Sequence, residues 1–178
     1  MKMISICVEP GECSRALSSS QAGLYNLCNL WMERSIPMSD VVVTSQTNLR
    51  NEVRYGDGQS FITDEPASAG GEGAGPDPYT LLLAALGTCI SMTVTLYARR
   101  KQWPLEQVTV RLRQGRIHSK DCQDCSQVAE GYIHRIERSV SFTGPLSEEQ
   151  HARLREIAHK CPVHKTFTSP IVVADLKD

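Results

Sequence analysis

No charge of one sign dominates this chain: 19 Lys plus Arg stand against 20 Asp plus Glu in 178 residues, a net charge of -1. No long basic run occurs either, so the electrostatic footprint of a nucleic-acid binder is missing and no RNA or DNA partner is expected. On reading, no apolar stretch approaches the ~20 residues needed to cross a bilayer. The first thirty residues also lack the basic start and apolar core of a secretory leader. No membrane partner is expected, and the expected compartment is the cytoplasm. What is left is a composition ordinary for one soluble domain with a single core. The seven cysteines are an odd number. In a reducing cytosol cysteines are free, metal-bound or catalytic more often than structurally bridged.

Two of the seven stand apart. Cys89 lies in the most apolar stretch, Leu81-Leu82-Leu83-Ala84-Ala85-Leu86-Gly87-Thr88-Cys89, and Cys161 lies in Cys161-Pro162-Val163-His164. Each setting differs from that of the other five, which points to thiol chemistry. By itself, a lone cysteine on an apolar stripe is more often a small buried hydrophobe than a nucleophile.

Residues 1–37 carry Ser18-Ser19-Ser20 and scattered Cys7, Cys13 and Cys28 without a sustained period, and are expected to be a poorly ordered extension. Met38-Ser39-Asp40-Val41 resembles a natural start, which sets the expected domain at 38–178. From Val41 the pattern is β. Arg50 to Tyr55 and Gln59 to Thr63 flank Gly56-Asp57-Gly58, a hairpin signal. Asp64 to Pro76, rich in Gly and Pro, reads as a loop. Asp77 as N-cap and Pro78 in the first turn then open the longest helix, expected to run to about Gln102. Leu82, Ala85, Cys89, Met92 and Leu96 share one stripe of it, expected to face the core.

Val108 to Arg113 and Ile133 to Phe142 alternate as half-exposed strands expected to pair. Ser147 with Gln150 forms a capping box for a second helix, with Leu154, Ile157, Ala158 and Cys161 inside and an expected end just before Pro162. Pro170 to Leu176 reads as a closing strand. The order predicts an α+β domain with antiparallel pairing. Between the two middle strands, Cys122 and Cys125 form a Cys-x-x-Cys with His118 upstream. These are weak metal candidates, because a closed zinc site needs four ligands and His134 is the only other one nearby. An idle solvated loop and an auxiliary redox pair are the alternatives.

The run Asp77-Pro78-Tyr79-Thr80-Leu81-Leu82-Leu83-Ala84-Ala85-Leu86-Gly87-Thr88-Cys89 with Ser91-Met92-Thr93, and later Ile157-Ala158-His159-Lys160-Cys161-Pro162-Val163-His164-Lys165-Thr166, resembles the OsmC/Ohr family of thiol peroxidases. Asp64-Glu65-Pro66 and the segment Gly70-Gly71 to Gly75-Pro76 are similar to it too. The resemblance implies an intertwined homodimer, with antiparallel sheets wrapped around two long central helices and the active site where the subunits meet. It implies reduction of organic hydroperoxides to alcohols without a cofactor. Cys89 attacks as a thiolate and Cys161 closes a disulfide, which a dithiol reductant such as a lipoyl or thioredoxin-like protein opens again.

It further implies an arginine beside the thiolate, here Arg50 or else Arg54, held by a glutamate. Tyr79 stands where that glutamate is expected, which places the chain in a Pro-Tyr branch. The alternative reading is therefore a redox-sensing or apolar-ligand-binding protein that kept the scaffold. His164 is expected to be structural, since attack on a peroxide needs no separate base once the thiolate exists.

Overall fold

The structure is a computed structural model that describes residues 40–122 and 131–176. The expected extension, 1–37, lies outside the described residues, as does Cys125. Strands β1 (Val41–Ser45), β2 (Asn51–Tyr55) and β3 (Gln59–Thr63) form an antiparallel sheet, with Val41 opposite Tyr55 and Asn51 opposite Thr63. The β2–β3 turn falls on Gly56-Asp57-Gly58, as the sequence predicts.

The loop that follows is built on Asp64, whose side chain accepts from the amides of Glu65 (2.9 Å), Glu72 (2.9 Å) and Ala74 (3.1 Å). Gly71 is required there, because a Cβ would lie 1.9 Å from the Glu65 carbonyl oxygen. The loop delivers the chain to α1 (Pro78–Lys101), capped by Asp77, which accepts from the amides of Tyr79 (2.9 Å) and Thr80 (3.0 Å). Two long strands, β4 (Gln107–His118) and β5 (Tyr132–Thr143), pair antiparallel from Gln107 opposite Thr143 to His118 opposite Tyr132. Then α2 (Glu148–Ala158) starts with the expected capping box, Ser147 to Gln150 amide and Gln150 to Ser147 amide. A third helix, α3 (Pro162–Thr168), follows.

Four expectations change. The buried face of α1 is Leu86, Ile90, Val94 and Ala98, whereas Leu82, Ala85, Met92 and Leu96 are exposed in the single chain. The helix is apolar nearly all the way round, so hydrophobicity alone does not select the face. Gly87 does, since it lets β4 approach until a Cβ there would sit 3.0 Å from Leu112 Cδ1. By length and composition α1 is also long and apolar enough to cross a membrane, contrary to the reading of the sequence. One of its faces is sealed under β4, α2 and α3, as in a core helix.

The second helix stops at Ala158 and not at Cys161, and Pro162 begins a helix as well as ending one, since its fixed φ suits the first helical position. Pro170 to Leu176 forms no strand in the single chain, and its Ile171, Val172, Val173 and Leu176 are exposed. A strand exists only where a partner supplies the ladder.

The core joins the buried face of α1 to Leu154, Ile157, Ala158 and Cys161, with Val108, Val110, Leu112, Ile136, Val140 and Phe142 of β4 and β5 against it. Among the described residues the β1–β3 sheet shares no extensive contact with α1.

Candidate active site

The middle of α1 carries one cysteine and the junction of α2 and α3 the other. Cys89 rides on α1 beside the buried Ile90, half-buried against the core. Cys161 follows α2, caps α3, and is wholly buried. Both are free thiols, close enough for Cys89 to bear on the Cys161 proton. Burial first, then the Cys89 side chain, push the Cys161 thiol up to about 11, against the opposing pull of the His164 and Val163 amides. At neutral pH Cys161 therefore keeps its proton. The half-exposed sulfur of Cys89 is thus the more accessible of the two to a reagent.

One cation at the end of α2 is a residue that sequence reasoning missed. Arg138 sits on the helix-facing side of β5, in phase with Ile136, Val140 and Phe142 and opposite Leu112. Its Nη1 donates to the Ala158 carbonyl at 3.2 Å, and its Nη2 meets His159 Nδ1. A positive charge on the last carbonyls of α2 complements the negative end of the helix dipole. The signal that could have found it is an arginine at an inward position of an alternating strand. His164 is half-buried near this cluster; its burial, then the charges of Arg138 and His159, hold its imidazole below the ordinary histidine range and so neutral at pH 7.

Neither expected arginine is brought to Cys89 by an extensive contact within the chain, because both belong to the N-terminal sheet. Arg50 is half-buried just before β2, and its Nε is buried without a hydrogen-bond partner among the described residues. It faces Asp64, a buried carboxyl held below its ordinary range. The Ala74 amide lowers Asp64 most; Glu72, Glu65 and the Arg50 charge add to this, while burial opposes it. Arg54 is exposed and pairs with Glu52 at 3.1 Å, a surface contact of little energetic weight.

Tyr79, at the position of the expected glutamate, stacks on His134 with ring centroids 6.1 Å apart. Its neighbour Asp77 is fully engaged in capping α1. Among the described residues no group of three His, Cys, Asp or Glu side chains is placed to hold an ion, and the metal candidate Cys125 lies outside those residues. His118 accepts from the Lys120 amide at 3.2 Å and packs edge-on against Tyr132. Cys122 is disulfide-bonded, which removes it as a thiolate ligand.

A model of the OsmC-like protein family matches residues 70–174. The chain belongs to that family. Its fold is also that of solved OsmC-like proteins. The organic hydroperoxide resistance protein OsmC of Legionella pneumophila is 19% identical, with TM-score 0.55, over 75% of this chain and 91% of that one. An OsmC-like protein of Mycoplasma pneumoniae is 18% identical, with TM-score 0.57, over 75% and 89%. An organic hydroperoxide resistance protein of Elizabethkingia anophelis is 21% identical, with TM-score 0.53, over 75% and 89%. No curated protein matches.

Proposed function

We propose that this protein is a thiol-dependent peroxidase that reduces organic hydroperoxides to alcohols. The observation that carries the reading is the Cys89–Cys161 pair, two free thiols close enough for one to bear on the other's proton, one half-buried and one buried. Family membership and relatives named for hydroperoxide resistance support the same class of chemistry. The Cys89 thiolate attacks the distal peroxide oxygen, the O–O bond breaks, and the alkoxide leaves as alcohol after taking a proton. Cys89 is left as a sulfenic acid. Cys161 displaces its hydroxyl as water and forms a disulfide, which an external dithiol reduces by exchange. A nearby second thiol prevents further oxidation of the sulfenic acid.

A thiolate at neutral pH needs a cation, since a free cysteine titrates near ~8.5. In this reading the cation is Arg50 of the partner subunit, brought in when two copies intertwine. The unsatisfied Arg50 Nε, the exposed apolar face of α1 and the unpaired C-terminal segment all favour a second copy. A reducing cytoplasm would keep both thiols in their starting state. The competing reading, a redox sensor without turnover, draws on the Tyr79–His134 stack, which puts an aromatic pair where a glutamate would hold the arginine.

Two measurements separate the readings. Steady-state turnover of cumene hydroperoxide with a dithiol supports the peroxidase, and intact mass after one equivalent should show loss of two hydrogens at Cys89 and Cys161. Disulfide formation without turnover would favour the sensor, and absence of both would remove the peroxidase reading.

A further inference from the structure

Closing a disulfide depends on where two sulfurs stand, and neither cysteine fixes its own place. Cys161 lies in the short link between α2 and α3, and its side chain makes no capping hydrogen bond. Cys89 rides on a helix that is apolar nearly all the way round, so its own pattern does not choose a rotation. The separation of the pair has to be set from outside the two motifs.

One rung of the β4–β5 ladder touches both segments. Leu112 and Arg138 stand directly opposite each other, on the face turned towards the helices. Leu112 lies so close to Gly87, two residues before Cys89, that a Cβ there would sit 3.0 Å from Leu112 Cδ1. Arg138 grips two consecutive residues at the end of α2: its Nη1 donates to the Ala158 carbonyl at 3.2 Å, and its Nη2 donates to His159 Nδ1. Ala158 is buried, and only Lys160 separates His159 from Cys161. The amides of His159 and Lys160 bond the carbonyls of Glu156 (3.2 Å) and Ile157 (2.9 Å), so a shift at the end of α2 is carried on to Cys161.

An arginine is a costly choice for this place. Its neighbours on the same row of β5, Ile136, Val140 and Phe142, are apolar and packed on the core, and a charge among them has to be bonded to be tolerated. An apolar side chain of similar length would fill the space at little cost to stability. What it would lose is the grip on Ala158 and His159.

We propose that the Leu112–Arg138 pair sets the distance between Cys89 and Cys161, with Leu112 seating α1 at Gly87 and Arg138 pinning the end of α2 as a positioning residue. The proposal rests on the redox pairing of the two cysteines described above. In closure the Cys161 sulfur displaces the group carried by the Cys89 sulfur. The S–S bond forms, the bond from Cys89 to the leaving group breaks, and the Cys161 proton ends on that group. How readily this happens is the effective concentration of one thiol at the other, which the pair fixes.

That quantity is measured by equilibrating the full-length protein with reduced and oxidised glutathione, quenching with acid, alkylating, and reading the state of each cysteine by peptide mass. Arg138→Met should leave the melting temperature close to wild type and lower the effective concentration about tenfold, within the hundredfold that a misplacement of ~1 Å can cost. The Cys89–glutathione mixed disulfide should form at an unchanged rate and accumulate instead. Gly87→Ala, which sets a methyl against Leu112, should lower the effective concentration too. Alanine is the better helix former, so that loss would not come from a weaker helix. Arg138→Lys keeps a donor for the Ala158 carbonyl and should fall between. Val53→Ala, a truncation at a buried position of the N-terminal sheet, should match wild type. Wild-type values in both Arg138→Met and Gly87→Ala would overturn the proposal, as would an equal fall in Val53→Ala. If Arg138→Met does not fold, Arg138→Lys and Gly87→Ala decide by the same criterion. Because glutathione takes the place of the peroxide, the two ideas fail separately. A wild-type disulfide in glutathione without hydroperoxide turnover removes the peroxidase and keeps the role of the pair. A wild type that forms no Cys89–Cys161 disulfide in any glutathione buffer overturns both.

Discussion

Tyr79 lies against His134, ring on ring at 6.1 Å with 22° between the planes, and so ties the first turn of α1 to the distal part of β5. The contact is a stack between partly exposed rings, so its worth is modest. Tyr79→Ala should destabilise the fold by about 1 kcal/mol, while Tyr79→Phe should be close to neutral. Urea unfolding of the two variants checks this. An equal loss in both would mean that the hydroxyl and not the ring makes the contact.

Cys89 and Cys161 should separate cleanly by mutation. Cys89→Ser should abolish peroxide consumption. Cys161→Ser should react once and then accumulate sulfinic acid on Cys89, since nothing closes on the sulfenate. Intact mass after excess cumene hydroperoxide distinguishes the two, and normal turnover by Cys89→Ser would remove Cys89 from the mechanism.

Asp64 makes a prediction about acid. Its folded carboxyl titrates below the ordinary 3.8, held there first by the Ala74 amide and then by the Glu72 and Glu65 amides and the Arg50 charge. A depressed carboxylate contributes stability above its unfolded value, and that contribution is lost as pH falls through the folded value. Wild-type stability should therefore drop below about pH 4. Asp64→Asn should be less stable at pH 7 and should show a smaller drop over that acidic window. Thermal melts from pH 2 to 7 give the comparison, and parallel curves for the two proteins would show that Asp64 has no such role.

What could be read in advance was local. The Asp77 cap, the Ser147–Gln150 box and the Gly56-Asp57-Gly58 turn are decided by neighbours within a few residues, and all three stand as expected. The inward face of α2 was legible because Leu154, Ile157 and Ala158 are its few apolar positions, whereas α1 offers apolar residues on every side and its face is set by distant packing at Gly87 and Leu112. Pro170 to Leu176 has a strand composition but no ladder partner in one chain, so its sequence misled. At the site, the cysteine motifs gave the pair. Arg138 stayed hidden because its role depends on β5 register against the end of α2, which no local pattern encodes.

Leu154 is wholly buried between α2 and α1, and Leu154→Ala should cost about 3 kcal/mol, the range for emptying a well-packed leucine site. Chemical denaturation measures it. A cost under about 1 kcal/mol would mean that this core collapses onto the gap.

The largest unmet need of the single chain is cover for its apolar surface. Met92 is 61% exposed on α1, Val41, Val42 and Val43 are each more than half exposed on β1, and Val172 and Val173 are almost bare. A helix apolar on all sides has to be buried on all sides, and one chain seals only the Leu86–Ala98 face. A homodimer with an apolar interface above the ~2,000 Å² usual for obligate pairs would supply the rest. Stability and activity should then rise together with protein concentration, because folding and association are linked. Met92→Glu touches nothing in the core of the single chain, yet it would bury an unpaired carboxylate in the dimer, which carries a heavy desolvation cost. It should shift the sedimentation profile to smaller species at micromolar concentration and lower the melting temperature by the same step. A wild-type chain that sediments as a stable, active monomer, or a Met92→Glu dimer indistinguishable from wild type, would refute this assembly and with it the supply of Arg50 from the partner subunit.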